Sequence, residues 1–235
     1  MKTHQAEQFD WHYQWARYKE PHQDQTAFLF FNWISPRTIE DFKGKRVFDA
    51  GCGPGHHVRL VASVAKHVTG MDLNTSDIAG ARLKDLRNVT IMRGDIATYQ
   101  PDEPFDVVYC IGVIHHTDDP DKTFQNLKQM CREGGILIVW CYSHEGNKLV
   151  RYVVEPLRQL FLRNRSRRLV EILSYLITAL IYPFVYTIYR LPFKILPYYR
   201  YFQDFRKLSF ERNVWNIFDK LNAPQTEFIN RSRIE

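Results

Sequence analysis

Three aspartates, three glycines and two histidines set the chemistry open to this chain. Asp49 stands just before the run Gly51-Cys52-Gly53-Pro54-Gly55. Asp72 and Asp95 close two later apolar runs, and His115-His116 follows a fourth. A glycine turn admits a ligand against bare main chain, at a cost in backbone entropy that needs a reason. Carboxylates brought together there only accept hydrogen bonds, and they favour a cationic, donor-rich ligand. The spacing is G-x-G-x-G rather than the G-x-G-x-x-G of a dinucleotide loop. A pyrophosphate would also want positive rather than negative potential at that place. An imidazole beside the crevice can take a proton near neutral pH.

The elements that carry these residues alternate. Short apolar runs at 45–52, 68–73, 89–95, 105–116 and 135–142 suit strands buried on both faces. Helical spacing falls at 56–67; 74–86 opens with cap-type residues, and 119–133 starts with Asp and Pro and stops at Gly134-Gly135. Strands alternating with helices predict an α/β fold with a doubly wound, Rossmann-like parallel sheet. Its ligand site lies beyond the carboxyl ends of the strands, where strand order reverses. If 105–116 is one strand, His115 and His116 point to opposite sides, and only one can serve as a base. His56-His57 opens a helix and is expected to pack, with no metal-ligand spacing around it.

From about residue 9 to 145 the sequence resembles the class I S-adenosylmethionine-dependent methyltransferases, through D-A-G-C-G-P-G at 49–55, the later acids and the His-His after strand four. The resemblance implies S-adenosylmethionine as cofactor and S-adenosylhomocysteine as product. It implies Asp49 near the cofactor's amino group, with Gly51, Gly53 and Gly55 as the loop. Asp72, with Leu73 beside it, would take the ribose hydroxyls, and Asp95 the adenine amino group, with Ile96 on the ring face. Backbone around Cys110 and Ile111 would line the methionine side. His115 or His116 would be the base if the acceptor is a hydroxyl, and oxygen is favoured over nitrogen. The aromatic stretch 9–18 resembles a segment that lids the cofactor in relatives, through Trp15, Arg17 and Tyr18; a helix packed on the sheet is the plainer expectation. The rivals are a non-catalytic binding protein on the same fold and an NAD-dependent oxidoreductase.

Charge divides the chain. Residues 1–147 carry 16 Lys and Arg against 19 Asp and Glu, whereas 148–212 carry 13 against 4. This suggests four parts: an amino-terminal segment to 44, the binding core 45–147, a basic and apolar helical insertion 148–212, and a tail 213–235. Residues 172–189 hold no charge, the threshold length for a spanning helix, but Pro183 should break it and basic residues flank both ends. A cap over the acceptor pocket is favoured, with a peripheral membrane surface next. The acceptor is then a small molecule or lipid-linked, nucleic acid being disfavoured because the aromatics cluster with aliphatics. Cys52, Cys110, Cys131 and Cys141 form no C-x-x-C pair and are expected as reduced, buried thiols in a cytoplasmic protein. The tail has little room for the helix and final hairpin of this family, so the fifth strand is expected at an edge.

Overall fold

The computed structural model describes residues 11–17, 23–162, 165–223 and 226–233. They fall into two compact units, one of residues 1–147 with 224–235 and one of 148–223.

The first unit is built on a five-stranded parallel sheet of order β3-β2-β1-β4-β5: β1 Arg46–Ala50, β2 His67–Asp72, β3 Val89–Arg93, β4 Phe105–Ile111 and β5 Cys131–Trp140. The order reverses between β1 and β4, which puts the topological switch point, where ligands of such sheets bind, at their carboxyl ends. Helices α1 His12–Arg17, α2 Gln23–Ile34, α3 His56–Ala62, α4 Ser76–Leu83 and α5 Pro120–Met130 flank it. Strand alternation sorts the core into two clusters. Val47, Val107, Tyr109 and Ile111 join Phe30, Phe42, Val58 and Val61 on one face; Phe48, Ala50, Val108 and Cys110 join Ile114, Leu127 and Met130 on the other.

Two expectations are corrected here. Strand four stops at Ile111, because Gly112 turns the chain with φ +76° and sends its N–H to the Trp140 carbonyl at 3.0 Å. The helix expected over 119–133 ends at Met130. The Asp119 side chain caps it by accepting from the Lys122 N–H, and the chain turns extended at Cys131. The extra residues before Gly135 bulge out of the β4–β5 register, with Gly134 at φ +70°. Past β5, Ile229 makes a parallel bridge to Ser143, and β5 is the outer strand among the described residues.

The second unit reaches Ala223, beyond the boundary expected at 212, because its last helix belongs to it. It holds α6 Glu155–Phe161, α7 Arg167–Thr187, α8 Tyr199–Phe205 and α9 Phe210–Asn222. Ser166 and Ser209 cap α7 and α9 by accepting from the Leu169 and Arg212 N–H groups. Pro183 does not break α7, contrary to expectation. One lost backbone bond is tolerated where Ile181 and Val185 pack with Ile217 and Leu221 of α9. Arg158 is buried against Glu155 and the Ala223 carbonyl, so it is part of the packing rather than of a basic surface.

Asn126 on α5 ties the loop after β3 to the sheet, donating to the Ile96 and Tyr99 carbonyls at 2.9 Å each. Replacing Asn126 with Ala removes the donor from one buried and one half-buried carbonyl and should cost about 1–3 kcal/mol in urea unfolding; an unchanged midpoint would show the loop is held otherwise.

Candidate active site

At the tip of β1 the chain turns back on β2. Gly51 and Cys52 donate to the Met71 carbonyl at 2.8 and 2.9 Å, and Gly53 donates to Asp72 Oδ2 at 3.0 Å. The other Asp72 oxygen accepts from Asn74 and Thr75 at 3.1 and 3.0 Å. One carboxylate thus closes the glycine loop and the turn after β2 together. A Cβ on Gly51 would lie 2.5 Å from Val113, and one on Gly55 2.6 Å from Leu83. Those two glycines are therefore required by packing and by positive φ, whatever binds. Gly53 differs: the nearest atom to its Cβ position is in the Trp15 ring, 3.9 Å away. It is the loop position where a Cβ would meet no clash, only the Trp15 ring at contact distance.

Asp49 is buried, one strand over from Tyr109 in register, and the Tyr109 hydroxyl donates to its Oδ2 at 2.8 Å. Burial pushes its carboxyl up to about 8, against the pull of the Tyr109 bond, with Asp72 adding repulsion. Asp95 turns the chain after β3, accepting from the Ala97 N–H at 2.8 Å. Ile96 is buried in the cluster beneath it, and the Leu73 carbonyl accepts from Arg93 at 3.0 Å. Cys110 and Ile111 end β4 on opposite faces of the sheet. Asp49, Gly51, Gly53, Gly55, Asp72, Leu73, Asp95, Ile96, Cys110 and Ile111 therefore all lie at the same end of the sheet, on β1 to β4 or the loops that follow.

The histidines are not on a strand and do not point apart, as expected above. They sit on a 3-10 turn, Ile114–His116, with ring centroids 4.1 Å from each other. His115 is 1% exposed, lies 4.3 Å from the Tyr142 ring, and neither of its ring nitrogens has a hydrogen-bond partner. Burial, then His116, holds its pKa well below the ordinary value, so the ring is neutral. The Trp11 ring lies 5.3 Å from His116, and Trp140 packs on Tyr142 at 5.5 Å. Residues after 225 join them: Glu227 donates to the His115 carbonyl at 2.9 Å, and Phe228 stacks on Tyr142. The period-two aromatics Trp140 and Tyr142 at the end of β5 were a usable sequence signal for this wall; nothing local marked 227–228.

Of the amino-terminal aromatics, Trp15 lies over Gly53, and its carbonyl accepts from Arg82 at 3.2 Å. Arg17 stacks on Tyr13, while Tyr18 and the start of that stretch lie outside the described residues. His56 pairs with Arg82, and His57 packs on Phe30 and Trp33. All four cysteines are free, and only Cys52 and Cys110 are fully buried, so two of the four thiols depart from the expectation.

Residues 48–139 match the family described as "Methyltransferase domain". That match falls on the parallel-sheet core, over strands β1 to β5. This methyltransferase domain is 34% identical over 113 residues to a ubiquinone biosynthesis O-methyltransferase of Pseudomonas syringae pv. tomato, covering 46% of this chain and 47% of the relative. It is 33% identical over 120 residues to a tRNA U34 carboxymethyltransferase of Alteromonas mediterranea, covering 47% and 36%. The chain thus spans about half the length, or less, of these curated relatives. Among solved structures, the N-methyltransferase NodS from Bradyrhizobium japonicum, in complex with S-adenosylhomocysteine, aligns at 18% identity and a TM-score of 0.45, covering 53% of this chain and 64% of that one.

The carboxyls of Asp49 and Asp72, brought together beside the glycine loop, fit a ligand with a sulfonium, an ammonium and ribose hydroxyls. The buried Asp49 gives a pH test. Its native pKa, about 8, exceeds the unfolded value, so the folded state holds the extra proton between the two. Stability of the ligand-free chain should therefore fall as pH rises from about 4 to about 8, and Asp49→Asn should flatten that slope in chemical unfolding. An equal slope in both proteins would show that Asp49 is ionised in the core.

Proposed function

We propose that the chain transfers a methyl group from S-adenosylmethionine to a hydroxyl of a small-molecule, sugar-linked or lipid-linked acceptor in the cytoplasm. The observation that carries this reading is a buried neutral imidazole with two unpartnered nitrogens, His115, at the same end of the sheet as the acid-and-glycine crevice of a methyltransferase domain. When bound, the cofactor supplies an electrophilic methyl on a positively charged sulfur.

The residues divide the remaining work. With S-adenosylmethionine bound, the glycine loop, kept close to β4 by Gly51, would pass the methionine part along main chain at Gly53, and Asp49 would pair with its ammonium. Asp72 accepts from the ribose hydroxyls, with Leu73 alongside, and Asp95 accepts from the adenine amino group over Ile96. Backbone at Cys110 and Ile111 lines the methionine side. Displacement at the methyl is in line, so alignment of the reactants supplies much of the acceleration. Trp11, Trp140 and Tyr142 give apolar walls that keep water away from the acceptor. With S-adenosylmethionine bound, a His115 nitrogen would take the acceptor's O–H proton while the methyl's bond to sulfur gives way to its bond to oxygen, leaving a neutral thioether. His116 packs against that ring and orients it.

His115→Ala should lower methyl transfer by about 10²–10⁴-fold while leaving affinity for S-adenosylhomocysteine within about twofold, and His116→Ala should do less. Equal, silent variants would mean that neither ring takes the proton. Asp72→Ala should weaken cofactor binding by about 1.5–3 kcal/mol, measured by calorimetry. Incubation with methyl-labelled cofactor and cell extract should place label in the small-molecule or lipid fraction. Label in RNA would overturn the acceptor class, and cofactor binding with no label anywhere would make the chain a binding protein.

A further inference from the structure

We infer that residues 148–223 form a membrane-surface anchor, in which α7 lies in the plane of an anionic bilayer with Leu169, Leu176, Leu180 and Phe184 sunk into it. The inference stands independently of the transfer reaction. It starts from a helix that is apolar on two opposite sides. Val170, Ser174, Thr178 and Val185 recur at helical spacing on the buried side, and Ile181 and Val185 pack with Ile217 and Leu221 of α9. The opposite stripe is exposed, with Leu180 at 70% and Phe184 at 59%. A helix covered on one side normally turns charges outward on the other. Here residues 172–189 have none to turn. An exposed apolar run of this length is a binding surface or a liability.

The charges stand at its two ends instead. Arg165, Arg167 and Arg168 precede or open α7, and Arg190, Lys194 and Arg200 follow it. Between the last of these, Phe193 and Ile195 are exposed, Ile195 at 94%. Basic residues bracketing an apolar face match anionic headgroups bordering acyl chains. The same helix is long and apolar enough, by length and composition, to cross a membrane. The geometry of this unit favours lying over crossing. α9 runs against α7 and carries Glu211, Arg212, Asp219 and Lys220, which hydrocarbon would have to accept if the pair spanned. The Ser174 and Thr178 hydroxyls on the packed side donate to backbone carbonyls at 2.7 and 2.6 Å, so that side needs no other partner.

The test is sedimentation of the full chain with vesicles of phosphatidylcholine alone or with roughly 30% phosphatidylglycerol. Binding should be at least about tenfold tighter to the anionic vesicles and should fall as salt rises from roughly 0.05 M to roughly 0.5 M. The double variant Leu180→Asp with Phe184→Asp should lose it by at least about tenfold, and so should Arg165→Glu with Arg168→Glu. Unchanged circular dichroism and unchanged affinity for S-adenosylhomocysteine would confirm that each variant is folded, and would separate this outcome from any failure of the methyltransferase reading. Absence of binding at low salt overturns the inference, whether the stripe is then covered by a second copy, read from gel filtration, or by the first unit of the same chain. Salt-insensitive attachment that resists alkaline extraction also overturns it, in favour of a crossing helix.

Discussion

The structure of the first unit depends on one carboxylate. Asp72 closes the glycine loop to β2 through the Gly53 N–H and holds the turn into α4 through Asn74 and Thr75. With both oxygens accepting from main chain, the tips of β1 and β2 are fixed as one rim. That rim can exist only if Gly51 and Gly55 have no side chains, since Val113 and Leu83 occupy the space. So the glycines have two explanations rather than one. Two of them let the loop sit close to β4 and α4, and one, Gly53, leaves backbone facing outward beneath Trp15. A ligand that competes for Asp72 must replace hydrogen bonds the protein already makes, so the site is shaped before it is filled.

The other half of the crevice is set by a turn. Gly112 ends β4 early, and the 3-10 turn that follows stacks His115 on His116 and Tyr142. Aromatic neighbours exclude water and keep the His115 ring neutral. Asp49 shows the same force with the other sign of charge. Buried beside Tyr109, it also favours its neutral form. The site therefore holds two neutral groups, the Asp49 carboxyl and the His115 imidazole, at the same end of the sheet.

How much of this was legible in the sequence follows from which signals are local. The sheet was, because each strand is a short apolar run ended by Gly, Asp or a turn, and parallel strands buried on both faces read that way. The acids at strand tips were legible for the same reason. The His pair was misplaced because an apolar run through Ile114 hides a glycine kink at Gly112, and periodicity alone cannot see φ. The helix end at Met130 was missed because Gly134-Gly135 looked like the stop, whereas those glycines serve a bulge in β5. Pro183 misled through its average behaviour, overridden by packing on α9. The contacts of 227–229 with Tyr142 and His115 join residues far apart in the chain, and no local pattern marks them.

For the proposed methyl transfer, the ligand's ammonium must meet an Asp49 carboxyl that holds its proton until that ligand arrives. Calorimetric titration of the intact chain with S-adenosylhomocysteine near pH 7, in two buffers of different ionisation heat, measures this directly. The expected result is saturable one-to-one binding whose heat depends on the buffer in the sense of proton release, a dependence that Asp49→Asn removes. No saturable binding, or binding with the same heat in both buffers, would contradict it.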